Sequence, residues 1–529
     1  MGTLWYNGTF FTMMAEGESV SAVYVQDGQI HDLGTKEDLE NRYAHVIEEE
    51  HDLLGAYVYP GFVDSHLHII GHGEKLIRLD LSEVKQAEEM RNLLVRKYKN
   101  STNDRWIFGE GWNENNFPDR KIFHRAELDE IAPNKPMFLT RVCRHAALVN
   151  TKALELAGIT RETKDPIGGV IVRDNNGEPT GYLLDTACDL VKEKIPDVTV
   201  NYIKHALSVA VDDLLRVGLV GGHTEDLHYY GGFKQTFDQF LQVIDGKQMK
   251  FRAHLLVHHE AIAEMEEENY DQGTITPFIE LGAVKIFSDG ALGGRTAYLR
   301  SPYTDDPSTS GVAIHSEESL QNLVKEAREK NRAVAIHTIG DAALDMALTA
   351  IERYPVTKGR DRLIHVQVVD ETLIERMKNL SVILDIQPRF VASDFPWVME
   401  RLGEERIKQS FAWKTLLESG LHCAGGSDAP IEPVDPLLGI HAAVTRTSVG
   451  QQHDGYMPEQ KLSPYEAVQL FTTGSAYAIE KEDERGKIAK GYVADFTILD
   501  QNLFTIAPED ILTTNVVKTI VDNTVMYEK

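Results

Sequence analysis

Eight short apolar runs, spread over most of a 529-residue chain, constrain its fold more than any other feature. They cover residues 58–64, 219–223, 254–258, 283–287, 333–337, 363–368, 382–386 and 421–425. Helical periodicity marks residues 202–217, 317–330, 342–353 and 410–419 between them. Strands alternating with helices imply parallel pairing, because each return crossing needs a helix-length connection. Eight such units point to an α/β fold of the closed (β/α)8 TIM-barrel type. An open doubly wound sheet is the alternative. No Gly-x-Gly-x-x-Gly follows an early strand, which argues against a dinucleotide-binding version.

The two ends of the chain follow another pattern. Residues 3–12 and 21–30 carry β-formers around an Asn7-Gly8 and an Asp27-Gly28 turn. Residues 492–499 and 516–527 read the same way. Neither end has strands enough for a stable sheet of its own, so the termini are expected to pair into one small β-sandwich domain. The expected division is residues 1–58 as the N-terminal part of the sandwich, 59–480 as the barrel, and 481–529 as the C-terminal part. About 155 residues separate the first barrel strand from the second. That is too long for a loop without structure of its own, and an inserted subdomain is expected at about 75–200.

Composition narrows the function. A net charge of −28 lacks the clustered Lys and Arg that phosphate neutralisation requires, so no nucleic-acid partner is expected. The cysteines, Cys143, Cys188 and Cys423, are scattered and show no Cys-x-x-Cys spacing, which fits a reducing compartment and excludes a thiolate metal site. The first residues show no basic region followed by an apolar core, and no run of 18 apolar residues occurs. The expectation is a cytoplasmic protein with no membrane partner.

The chemistry is written at the ends of the apolar runs. The first leads into Gly61-Phe62-Val63-Asp64-Ser65-His66-Leu67-His68. On a strand, His66 and His68 point to the same face, which makes half of a metal site. Lys285 lies in the fourth run, His337 ends the fifth, His365 lies in the sixth, and Asp428 follows the eighth. In a barrel these strand ends meet at one mouth. Lys285 is the odd member, since an ammonium repels a cation. Burial favours its neutral amine, which can take up carbon dioxide to become a carbamate, in effect a carboxylate on a long arm. Pairing with an acid such as Asp289 is the plainer role for it.

As a set, these residues resemble the amidohydrolase superfamily. Lys285-Ile286-Phe287-Ser288-Asp289-Gly290, His337-Thr338-Ile339-Gly340-Asp341 and Ser427-Asp428-Ala429-Pro430-Ile431-Glu432-Pro433 are similar to amidohydrolase family 3, in its N-substituted formamide deformylase-like branch. The run Gly486-Lys487-Ile488-Ala489-Lys490-Gly491-Tyr492-Val493-Ala494-Asp495-Phe496 resembles the family's return to the sandwich. The resemblance implies a binuclear centre with two divalent metals per chain, zinc first among the candidates. His66, His68 and Asp428 would hold one metal and His337 and His365 the other, with Lys285 bridging them as a carbamate. It further implies a metal-dependent hydrolase of a non-peptide C–N bond, amide or N-formyl, in a small molecule. A bridging hydroxide would attack, and Asp428 would act as general base and then general acid. It also suggests a homodimer.

Arg141, His145, Arg295 and Trp112 are the candidates for substrate contact. Asp64 is expected to form a turn or support a ligand, while His223, His254, His258 and His259 are surplus to a two-metal set. A one-metal deaminase on the same scaffold, and a non-catalytic protein that kept the fold, are the competing readings.

Overall fold

The computed structural model describes residues 2–82, 84–101, 106–141, 146–166, 168–196 and 198–529. It contains two compact units, residues 1–72 with 203–529, and residues 73–202.

The first unit is built on a parallel barrel: β1 (Phe62–Leu67), β2 (Leu219–Thr224), β3 (Arg252–His258), β4 (Ile279–Phe287), β5 (Val334–Thr338), β6 (Asp361–His365), β7 (Val382–Ile386) and β8 (Cys423–Gly425). Each pairs in parallel with the next. The ring is drawn together between β8 and β1 just past the strand ends, where the amide of Asp428 donates to the His66 carbonyl and that of His68 to Ala429, both at 2.7 Å. Every residue of β2, β5, β6 and β7 is buried. This is why the strands read as unbroken apolar runs rather than alternating ones.

The helices follow from their apolar spacing. In Val200–Arg216, residues Ile203, Leu207, Ala210 and Leu214 are buried at intervals of three or four and form one stripe. Burying each leucine contributes about 1.5–3 kcal/mol. The helix ends before Gly218, whose φ of +91° an L side chain resists. Helix Glu317–Glu329 starts at Ser316, whose hydroxyl accepts from the Ser319 amide, with Glu317 and Glu318 facing the positive helix end.

Both termini enter one eight-stranded sheet. Its order is Thr524–Glu528, Val516–Val521, Phe496–Leu499, Tyr57–Pro60, Gly2–Phe11, Ser19–Gln26 and Gln29–Gly34, with Ile47–Asp52 alongside Gly2–Phe11. The sheet curls on itself. Ile30 donates to the Tyr492 carbonyl and Ala494 to that of Gly28, and Trp5, Phe10, Val23, Ile30, Phe496, Ile498 and Ile520 share one core. Asp27 and Gly28, both at positive φ, make the tight hairpin that their sequence suggests. Asn7-Gly8 does not make a turn. It lies inside a strand, where the register shifts between Tyr6 and Phe10, and Asn7, at φ +56°, opens a bulge.

The run 58–64 is not one barrel strand. Tyr57–Pro60 belongs to the terminal sheet, Phe62–Leu67 to the barrel, and Gly61 lies between them. A Cβ at Gly61 would sit 2.4 Å from the Val220 side chain, and its amide is spent on the Asp495 carbonyl at 2.8 Å. Only glycine lets the chain pass from one sheet to the other so close to β2.

The second unit has its own six-stranded sheet, in the order Gly169–Arg173, Pro179–Asp185, Ala146–Val149, Met137–Arg141, Ile107–Trp112 and Leu79–Asp80. Leu94, Ile107, Trp112, Leu128 and Met137 are among its buried core. No helix among the described residues is long and apolar enough to cross a membrane.

Candidate metal centre

The ends of β1 and β8 are stitched together by Asp64. Its buried carboxylate accepts from the amides of His66 (3.0 Å) and Ser427 (3.1 Å). Gly426 permits the approach, since a Cβ there would lie 2.6 Å from the His66 nitrogen. Burial pushes the Asp64 carboxyl up to about 7, against the pull of its donors. The turn then places Asp428 in the left-handed region, at φ +58°. His365, at the end of β6, is held at φ +79°. Such backbone costs of order 1–3 kcal/mol and persists where the surroundings impose it.

These constraints bring the predicted residues together. Asp428 Oδ1 lies 3.7 Å from His66 Nε2 and 3.5 Å from His68 Nε2. Lys285 Nζ is 3.4 Å from His66 Nε2. The His66 and His365 rings are 5.6 Å apart, and those of His337 and His365 4.5 Å. Donor atoms on a tetrahedral zinc at ordinary bond lengths stand about 3.3 Å apart, close to the three atom-to-atom spacings. Lys285 is fully buried.

The outer nitrogens of three imidazoles are held by oxygen. His68 Nδ1 meets the Glu225 carbonyl at 2.9 Å, His337 Nδ1 meets Asp289 Oδ1 at 2.9 Å, and His365 Nδ1 meets Gln387 Oε1 at 2.7 Å. A carbonyl or carboxylate oxygen has no proton to give, so each Nδ1 carries a hydrogen and Nε2 is the nitrogen left to face a cation. The Gln387 amide cannot turn over without losing a bond, because its Nε2 donates to the Asp385 carbonyl. Asp289 also accepts from the amides of Ile339 and Gly340 and is fixed in place. It therefore serves His337, not Lys285. This arrangement orients metal-ligating histidines in general.

The electrostatics favour the neutral, electron-pair-donating forms of Lys285, His66 and His365. Burial lowers Lys285 from its usual value, with Glu225 and Asp428 opposing. Burial, with Lys285 and His365 adding, holds His66 well below the usual imidazole range, and His365 falls to about 3 by burial and the neighbouring His337. His68 differs. Burial opposes its charge, but Asp428 and Glu225 win and raise it to about 9. Asp428 is lowered in turn, its burial outweighed by His68 and His365. A set of imidazole nitrogens and carboxylate oxygen, without thiolate, fits a borderline divalent cation such as zinc.

Comparison with known proteins agrees with this reading of the fold. The model of the amidohydrolase family, family 3, matches residues 49–527. The chain belongs to the amidohydrolase family. YtcJ of Bacillus subtilis (strain 168), which carries an amidohydrolase name, is 49% identical over all of both chains. N-substituted formamide deformylase of Arthrobacter pascens is 27% identical, covering 99% of this chain and 98% of its own. The crystal structure of an uncharacterized metal-dependent hydrolase from Pyrococcus furiosus superposes with a TM-score of 0.81 at 30% identity, over 96% of this chain and all of that one.

The remaining candidates that the structure describes have partners of their own. Trp112 is fully buried in the core of the second unit, its indole N–H donating to the Leu139 carbonyl at 2.9 Å, so it has no face to offer a ligand. Arg141 is paired in that unit with Glu114, at 2.8 and 2.9 Å. Arg295 pairs with Asp305 at 2.8 Å in the loop after β4. His145 lies outside the described residues. His223 and His254 lie inside the barrel, against Arg362 (3.3 Å) and Glu280 (3.4 Å).

Sequence reasoning missed Glu225, Tyr229 and Gln387. Gln387 follows an apolar run directly, the same signal that marks His66. Tyr229 donates to Glu225 at 2.7 Å, and its ring is 6.3 Å from that of His68.

Proposed function

We propose that this amidohydrolase-family member is a metal-dependent hydrolase that cleaves a non-peptide C–N bond, amide or N-formyl, in a small molecule. The observation that carries the reading is the fixing of His68, His337 and His365 through Nδ1, which leaves Nε2 as the metal-facing nitrogen of each, beside His66, Lys285 and Asp428. His66, His68 and Asp428 would hold one cation and His337 and His365 a second. Lys285 would join them as a carbamate, formed when its neutral amine adds to carbon dioxide and releases a proton. The cations, when bound, polarise the substrate carbonyl and acidify a water enough for attack near neutral pH. Asp428 takes the proton of that water and delivers it to the departing amine. Burial keeps Asp428 and Lys285 from bulk water, which strengthens each charge interaction at the centre.

Elemental analysis for two metals per chain that are lost together in Lys285→Ala, with a hydrolysis screen over N-acyl and N-formyl amines, tests this. Lys285→Ala is expected to lose metal and activity, with partial recovery on adding a short carboxylic acid. Full activity in the untreated variant would overturn the bridging role. A one-cation deaminase is the second reading. It draws on the fact that His66, His68 and Asp428 alone bring three donor atoms within 4.8 Å of one another. One metal per chain with full activity would favour it.

A further inference from the structure

A second cluster of donors lies beside the first. His228 is in the loop after β2, His258 is the last residue of β3, and Glu260 is in the turn that follows. One donor atom from each lies within 4.8 Å of the others. His228 Nε2 stands 3.0 Å from Glu260 Oε2, and His258 Nδ1 stands 3.9 Å from the same oxygen. These spacings bracket the about 3.3 Å between neighbouring donors on a tetrahedral zinc.

The His228 and His258 rings stack at 4.5 Å and 15°. His259 stacks on His258 at 4.6 Å, and His315, from the loop after β4, meets His259 edge-on at 5.4 Å. His315 Nε2 is buried with no hydrogen-bond partner. Four neighbouring imidazoles lie beside a carboxylate, and one of them, His315, has a buried nitrogen that the protein itself does not use.

We propose that His228, His258 and Glu260 form an accessory cation site, separate from the His66–Asp428 centre. Two imidazoles and one carboxylate select a borderline divalent cation such as zinc over magnesium or calcium, which take oxygen ligands. His258 Nδ1 gives up only a long contact, 3.3 Å, from the Glu260 amide to bind it. At least one coordination position stays open to water or His315. The cation ties the loop after β2 to the end of β3. That loop also carries Tyr229, whose ring is 6.2 Å from His258 and 6.3 Å from His68. Filling the accessory site therefore fixes Tyr229 and Glu225 beside the main centre.

The test is equilibrium dialysis of the full-length protein against graded zinc, with thermal melts, for wild type, Glu260→Gln and His228→Ala. Glu260 has a side chain 57% exposed, so its variant keeps the fold. The expected result is one zinc equivalent per chain bound at least tenfold more weakly in both variants, and a smaller zinc-dependent rise in Tm. Equal zinc binding in wild type and Glu260→Gln overturns the proposal. So does a loss confined to His228→Ala that also melts lower without zinc. Repeating the comparison in Lys285→Ala separates the two centres: the accessory equivalent is expected to survive there whatever becomes of the main one.

Discussion

The two ends of the barrel use similar side chains to opposite ends. At the C-terminal end, Lys285, His66 and Asp428 are buried with donors turned toward one another and no strong ion pair among them. At the N-terminal end, charged groups are matched. Arg252, at the start of β3, meets both carboxylate oxygens of Asp495, one at 2.9 Å. Arg328 pairs at 2.6 Å with Asp361, which opens β6, and Arg485 at 2.9 Å with Glu280 in β4. Thr497 of the terminal sheet accepts from the Phe62 amide and donates to the Gly218 carbonyl. The floor pairs its charges and clamps barrel to sandwich, while at the mouth burial favours the neutral forms of Lys285, His66 and His365 beside Asp428. Mutations at the two ends should therefore separate activity from stability.

The largest effect is expected at the mouth. Asp428→Asn should lower kcat by about 10²–10⁴-fold, the range for loss of an acid–base group, with little change in Tm. A fall in Tm that accounts for the lost activity would erase the contrast. At the floor the reverse is expected. Arg252→Met strands the Asp495 carboxylate in a buried site and should cost about 3–5 kcal/mol in urea unfolding, while the folded fraction keeps its kcat. Adding Asp495→Leu should return much of that loss, because no lone charge then remains.

A smaller effect sharpens the comparison within the mouth itself. Gln387→Ala frees the His365 ring to turn, and should weaken metal binding by about 10–100-fold with modest loss of stability. Unchanged affinity would mean that packing alone holds the imidazole. The smallest effect is one of pH. Asp394, at the end of the short helix Phe390–Asp394 after β7, is pushed up to about 7 by burial and the nearby Glu432. Its folded form holds a proton that the unfolded chain has lost, so stability falls as pH rises from about 4 to 7. Asp394→Asn should be more stable than wild type by about 1–3 kcal/mol at pH 8, with the gain shrinking toward pH 5. A gain that does not vary with pH would remove Asp394 as its source.

The barrel was legible because parallel strands covered on both faces leave long apolar runs, and because the candidate ligands sit at the ends of those runs. His337 and His365 could be named from position alone. What a run does not reveal is its neighbour across the sheet. Gly61 divides 58–64 between two sheets because of Val220, a residue about 160 positions away. Asp289 was in view as a partner for Lys285, yet it turns to His337 and to two backbone amides, a choice set by how β4 and β5 pair. Trp112 invited a pocket reading from its type, and the core of the second unit took it instead. His228 and Glu260 carry no strand-end signature and become a pair only once β2 and β3 lie side by side.

Gly61 has a consequence for how this chain tolerates shortening. The segment on one side of it is hydrogen-bonded to Phe496–Leu499 and to Thr9-Phe10, and the segment on the other carries His66. Trimming either terminus would loosen the base of the strand that presents His66 and His68, so a barrel cut free of its two tails should lose the cation binding proposed for it before it loses its fold.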